Sequence, residues 1–191
     1  DFTGALGRAA GETVDTYAYT LGDLSAGVNY QLQLAAEPGT FEITPKQLTI
    51  SAPSITKSKV YDGNTTAAVT AGTLSGVEAG DVGNVEVSAA ANYDTATVGT
   101  DKTITVVYTL SGSASGNYIK PVNDTAADGI ITAQVVTITP DASQSKVYGS
   151  VDPVFTFTNN AGLESGDFTG ALGRAAGETV DTYAYTLGDL S

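Results

Sequence analysis

The side chains in this chain that could do chemistry are carboxylates, lysines, tyrosines and hydroxyls, because it contains no His, Cys, Met or Trp. Most proton transfer and nucleophilic attack near neutral pH runs through His or Cys. A Ser-His-Asp triad, a cysteine nucleophile, a zinc site built on His or Cys, and a haem site with the usual axial ligands are therefore excluded. A pair of carboxylates for glycoside hydrolysis remains formally open, but nothing in the sequence points to a cleft that would hold a sugar between them. No catalytic, cofactor-binding or metal-binding residue is assigned, and the chain is expected not to be an enzyme.

Three arrangements of these groups have both a functional and a structural reading. Asp62, Asp81, Asp101, Asp124 and Asp128 could hold a calcium ion at a junction between modules. Calcium needs six to eight converging oxygens, and there is no Asp-x-Asp-x-Asp-Gly loop to gather them, so solvated turn acids are the plainer reading. Lys59 and Lys146 lie in a repeated Ser-Lys-Val-Tyr motif. The motif could be a ligand site, but the plainer reading is a strand anchored by Val and Tyr with Lys along the surface; separately, Lys59 or Lys146 could form an isopeptide crosslink to an Asn or Asp, for which the sequence gives the residue types but no telling spacing. Tyr17, Tyr19 and Tyr30 could stack on a sugar, or Tyr17 and Tyr19, two apart, pack across strands at a core edge. No cofactor is expected beyond the calcium reading.

The charge balance narrows the partners. With 21 acidic and 8 basic residues the net charge is −13. Binding to nucleic acid or anionic lipid requires clustered Lys and Arg, so neither is expected. The charges are scattered rather than blocked, which argues against an acidic disordered tail. No apolar run is long enough to cross a membrane as a helix. A chain that begins at Asp1 reads as a piece of a longer protein, with any export signal or anchor expected outside it.

Any such groups must be positioned by repeated modules. Residues 1–25 and 167–191 are identical, so Asp1 and Asp167 mark the same point in successive copies of one long period. An older repeat lies inside it. Ser58-Lys59-Val60-Tyr61 returns as Ser145-Lys146-Val147-Tyr148, and Gly76-Val77-Glu78-Ala79-Gly80-Asp81 returns as Gly162-Leu163-Glu164-Ser165-Gly166-Asp167. The organisation expected is residues 1–46 as the C-terminal part of one module, 47–134 as a complete second type of module, and 135–191 as the N-terminal part of the next copy of the first type. An open module exposes unpaired strand edges. Residues 1–46 are therefore expected to be completed by residues equivalent to 135–166, either from a preceding unit or by strand exchange.

Strand signals dominate. Val85–Ser88, Thr103–Leu110, Phe155–Thr158, Phe41–Thr44 and Tyr30–Leu34 alternate apolar with polar, which predicts strands with one buried face. Gln134–Pro140 reads as a strand running into the next module. Tyr61–Asn64, Glu78–Asp81 and Gly112–Asn117 carry turn residues. Thr3–Ala10 and its copy at 169–176 hold two glycines each, so a turn, a bulged strand or one helical turn is expected there rather than a long helix. The fold class expected is all-β: tandem small antiparallel β-sandwich, Ig-like modules in a linear array, with β-grasp-like modules as the alternative.

Residues 47–134, through Lys59-Val60-Tyr61-Asp62-Gly63-Asn64-Thr65-Thr66-Ala67, Ala71-Gly72-Thr73-Leu74-Ser75-Gly76 and Gly116-Asn117-Tyr118, resemble the YDG repeats of bacterial surface adhesins and filamentous-haemagglutinin-like proteins. Residues 135–191, through Lys146-Val147-Tyr148-Gly149, Gly166-Asp167-Phe168-Thr169-Gly170-Ala171-Leu172, Arg174-Ala175-Ala176-Gly177-Glu178 and Thr182-Tyr183-Ala184-Tyr185, resemble the companion MBG repeats. Asp15 and Asp181 depart from the small Gly common at that place in such repeats. The resemblance implies a structural tandem-repeat segment of an extracellular adhesin stalk or fibre at the bacterial cell surface, acting as a spacer. Its partners would be neighbouring repeats, with an unknown surface or glycan receptor as a further one. The alternative is a carbohydrate- or surface-binding adhesin module.

Overall fold

A computed structural model describes residues 1–191. The chain is all-β, with three single-turn 3₁₀ segments as its only helical structure. It divides into two compact units, Asp1–Ala133 and Gln134–Ser191.

The centre of the first unit is the strand Gly99–Ser111. Its inward positions Lys102, Ile104, Val106 and Tyr108 are buried, and the residues between them face outward. That is the period of two read from Thr103–Leu110. Burying a side chain such as Ile104, which has no exposure, contributes about 1.5–3 kcal/mol. The strand pairs antiparallel with Glu86–Tyr93 on one side and Asp124–Thr132 on the other. Thr66–Ala67 and Ser58–Val60 complete the five-stranded sheet at its two edges.

Over this sheet lies a second layer. Thr49–Ile50 pairs with Leu74–Ser75, and Ser54–Ile55 pairs with Val69–Thr70, both antiparallel. Ile50, Ile55, Val69 and Ala71 pack onto Ala91, Tyr93, Ile104, Val106, Tyr108 and Ile131. Leu48, Val85 and Tyr118 form a smaller cluster with Leu74 and Leu110.

The layers are joined by strands that change partner. The Thr56 amide donates to the Ala68 carbonyl at 2.9 Å, while the next carbonyl, that of Lys57, accepts from the Ile130 amide at 2.7 Å. Residues 49–56 thus run antiparallel to 68–75, and Ser58–Val60 then crosses to lie parallel to Asp124–Thr132. A second parallel pair joins Lys46–Gln47 to Tyr118–Ile119. Gly129 sits opposite Lys102, where a Cβ would come within 2.8 Å of the Lys102 carbonyl and 2.9 Å of the Tyr93 ring. The ladder is bulged there, and Asp101 holds a φ of 55°.

Residues 1–43 form a smaller meander in the same unit. Gly7–Arg8 pairs with Asp15–Thr20, which pairs on its other edge with Thr40–Ile43. The segment 3–10 is therefore a turn carrying a two-residue strand, as its glycines suggested. Tyr30–Leu34, expected as a strand, is in no ladder; Leu32 and Leu34 are half-buried and the rest is exposed. Alternation equips a segment for a sheet but does not supply the neighbouring strand it must bond to.

The second unit holds two short antiparallel pairs: Ile138–Pro140 with Phe157–Asn159, and Gly173–Arg174 with Tyr185–Thr186. Of the strand expected over 134–140 only Ile138–Pro140 forms one, and the strand expected over 155–158 is displaced to Phe157–Asn159, leaving Phe155 and Thr156 outside it.

Candidate functional site

The repeated Ser-Lys-Val-Tyr motif is arranged opposite to the expected way. Its valine and tyrosine are the exposed members: Val60 and Tyr61 in the first unit, Val147 and Tyr148 in the second. The lysines turn inward instead. Strand alternation puts Lys59 and Val60 on opposite faces, and the lysine takes the inner one because the loop supplies acceptors for its charge. The Lys59 Nζ donates to Asp62 Oδ1 at 2.7 Å, to the Asn64 carbonyl at 2.7 Å, to Asn64 Oδ1 at 2.9 Å and to the Thr66 carbonyl at 3.1 Å. It also stands 5.6 Å from the centre of the Tyr93 ring. The Asp62 carboxyl is held below its ordinary range, first by the hydrogen bond from Lys59 and then by the Asn64 backbone amide. Lys59 therefore locks the Asp62–Thr66 loop.

Lys146 builds a different structure from the same motif. Its Nζ contacts Asp152 Oδ1 at 2.8 Å and Glu178 Oε2 at 2.7 Å. Arg174 closes the ring: Nε to Asp152 Oδ2 at 2.8 Å, Nη2 to Asp152 Oδ1 at 3.0 Å, and Nη2 to Glu178 Oε1 at 2.7 Å. The bidentate Arg–Asp contact is the most directional part. Hydrogen bonds from Arg174 and then Lys146 pull the Asp152 carboxyl down to about 2. Donating hydrogen bonds to Asp152 and then to Glu178 raises both Lys146 and Arg174. An isopeptide bond requires a neutral amine and an uncharged acyl group, so these environments favour ion pairs over a crosslink at Lys146. At Lys59 the neighbouring Asp62 carboxyl is held below its ordinary range, so it stands as a carboxylate rather than as an uncharged acyl group.

Beside this ring opens a cleft of about 460 Å³, lined by Tyr148, Phe155, Tyr183 and Tyr185 with Lys146 and Arg174 at the charged end. Sequence reasoning missed it. Asp152 lies 22 residues from Arg174, and only folding brings them together. The Arg174–Glu178 spacing of four was visible, but Arg8–Glu12 shares it and pairs without a ring.

The five aspartates proposed for calcium do not converge. Asp62 belongs to the Lys59 loop. Asp81 accepts from the Tyr118 hydroxyl at 2.6 Å and Asp124 from the Tyr108 hydroxyl at 2.6 Å. Asp128 pairs with Lys57 at 2.8 Å, and Asp101 accepts from Thr100 at 3.1 Å. No group of three acidic side chains comes together to hold a metal. Of the tyrosines, Tyr17 is buried, with its hydroxyl donating to the Thr13 carbonyl at 2.7 Å and its ring 4.9 Å from the Arg8 guanidinium. Tyr19 is half-buried on the same strand, and Tyr30 is exposed outside it. They do not form one platform.

The chain is thus an all-β protein of small modules whose charged side chains mainly lock loops. Residues 44–127 match the family model of the YDG domain, and residues 136–191 match that of the MBG domain of YGX type. The chain carries a YDG domain followed by an MBG domain. Residues 1–25 lie outside both matches and repeat, residue for residue, the end of the MBG match at 167–191. No curated protein and no solved structure gives a significant match.

Proposed function

We propose that this chain is a structural tandem-repeat segment of an extracellular bacterial adhesin stalk or fibre, a spacer without catalysis. The observation that carries the proposal is the residue-for-residue return of the segment 1–25 at 167–191. Folding does not require such identity, whereas recent duplication of a length-setting unit produces it. A YDG domain followed by an MBG domain, an acidic self-repelling surface and a loop locked by Lys59 all suit a linear array at the cell surface. Its partners in that role are the neighbouring repeats. Two modules, each of about ten residues per strand at roughly 3.3 Å, would advance the array by about 60–80 Å per period.

Electron microscopy of the protein from its native source tests this. A thin filament with that axial repeat is the expected result, and discrete particles without a repeat would overturn it. A second reading has one specific observation in its favour: the aromatic cleft beside Lys146 and Arg174 has the lining of a glycan site. Binding of a soluble glycan that is lost in Tyr183→Ala would favour that binding module over the spacer.

A further inference from the structure

Two Asn-x-Thr triplets occur in the chain, Asn64-Thr65-Thr66 and Asn123-Asp124-Thr125. This triplet is the acceptor pattern for attaching a sugar to an asparagine side chain. It is short enough to arise by chance, so the surroundings of each asparagine decide between them. Asn64 lies in the loop between Ser58–Val60 and Thr66–Ala67, and both Asn64 and Thr66 are exposed. Gly63 beside it takes a φ of 78°, and a Cβ built there would meet no atom within 4 Å, so the tip of the loop stands clear of the sheet.

The Asn64 carboxamide has a fixed orientation. Its Oδ1 accepts from the Thr66 backbone amide at 2.9 Å, an Asx turn that spans the triplet, and from the Lys59 ammonium at 2.9 Å. Both partners are donors, so the oxygen must face them and Nδ2 points away. The Thr65 hydroxyl is tied to Asn92 Oδ1 at 3.3 Å, whereas neither Asn64 Nδ2 nor the Thr66 hydroxyl takes part in the hydrogen bonds that hold the loop. Asn123 differs at each point. Asp124 and Thr125 are paired in the sheet with Val106 and Thr105, so no turn brings the Thr125 amide to the Asn123 side chain. Asn123 Oδ1 has one long contact, 3.4 Å from Lys120 Nζ. The corresponding loop of the second unit, Tyr148-Gly149-Ser150, has no asparagine.

We propose that Asn64 is a glycosylation site, its Nδ2 accepting a sugar from a glycosyl diphosphate through a transferase that reads the Thr66 hydroxyl. The step is a substitution without redox change. The bond from Nδ2 to the sugar C1 forms, the C1–O bond to the diphosphate breaks, and the diphosphate leaves with that electron pair. The Nδ2 proton passes to a base of the transferase. Hydrogen bonds from Lys59 and the Thr66 amide draw electron density toward Oδ1, which eases loss of that proton. The attached sugar displaces no protein contact, because Oδ1 and not Nδ2 holds the loop. The site lies wholly within the YDG domain. It does not rest on the spacer role: a source material without axial periodicity leaves the site intact, and an unmodified Asn64 leaves the spacer reading intact.

The test is site mapping by mass spectrometry on the protein from its native source, with variants produced in that same source. A sugar on Asn64 and none on Asn123 is the expected result, and Asn64→Gln is expected to lose it completely. Thr66→Val keeps the backbone amide that bonds Asn64 and removes only the hydroxyl, so it too is expected to lose the sugar. Thr66→Ser restores the hydroxyl and is expected to keep the sugar, a contrast that a merely misfolded loop would not show. Sugars added singly point to a nucleotide-linked diphosphate as donor, and a preassembled oligosaccharide points to a lipid-linked one; either supports the site. An Asn64 without sugar in the native protein, a modification indifferent to Thr66→Val, or a sugar carried instead by Asn123 or a threonine would overturn the proposal.

Discussion

The Tyr108 hydroxyl donates a 2.6 Å hydrogen bond to Asp124 Oδ2 from a side chain with no solvent exposure. Asp124 opens its strand and makes the outermost pair with Gly99–Ser111, opposite Val106. Tyr108 lies two residues beyond Val106 on the same face, so its side chain extends the ladder one step past its last backbone pair. The Lys120 ammonium takes over the Tyr108 carbonyl at 3.0 Å. Core packing and strand pairing are thus tied at one residue.

Tyr108→Phe keeps the ring and removes the hydroxyl, leaving Asp124 without its donor. The expected cost is about 1–3 kcal/mol, the usual penalty for unpairing a buried polar contact. Urea unfolding should show a lower midpoint with an unchanged slope. A midpoint equal to that of the parent chain would mean that the bond adds nothing net.

The same contact makes the first unit sensitive to base. Burial, and then the bond to Asp124, push the Tyr108 phenol from 10.0 up to about 12. A folded value above the unfolded one stabilises fully below pH 10, and that contribution is lost as pH rises through about 12. Stability measured across this window should fall more steeply in the parent chain than in Tyr108→Phe, which has no phenol to ionise there.

Lys59→Met retains the aliphatic length but removes four hydrogen bonds from the Asp62–Thr66 loop. The Asn64 and Thr66 amides, bonded to Asp62 and Asn64 side chains at 3.1 and 2.9 Å, should exchange about tenfold faster, the equivalent of one net charge-assisted bond. The Ile104 amide in the central strand should keep its protection. Uniform loss across both sites would show that the lysine supports the whole module rather than the loop.

The second unit should loosen in acid. Asp152 is depressed from 3.8 to about 2 by Arg174 and then Lys146, so its contribution is present above pH 3.8 and is lost as pH falls through about 2. Protection factors at Arg174 and Tyr185, which remove the intrinsic pH dependence of amide exchange, should fall over that range, and Asp152→Asn should show the lowered protection already at neutral pH. Protection at both amides that does not change across this range would place the stability of this unit outside the charge ring.

The all-β class, the repeats and the central strand were legible because they are local. Period-two alternation over Thr103–Leu110 states its own buried face, and identity between 1–25 and 167–191 needs no structure to be seen. Tertiary structure decided whatever depends on a distant partner. Tyr30–Leu34 has the pattern of a strand and no neighbour to bond to. Lys59 and Lys146 share a motif, yet one locks the loop that follows it and the other joins a ring with Asp152, Arg174 and Glu178. Leu6 and Leu172 sit in identical stretches of sequence, and one is open while the other is buried. Side-chain pattern is written along the chain; which surface meets it depends on residues far away in sequence.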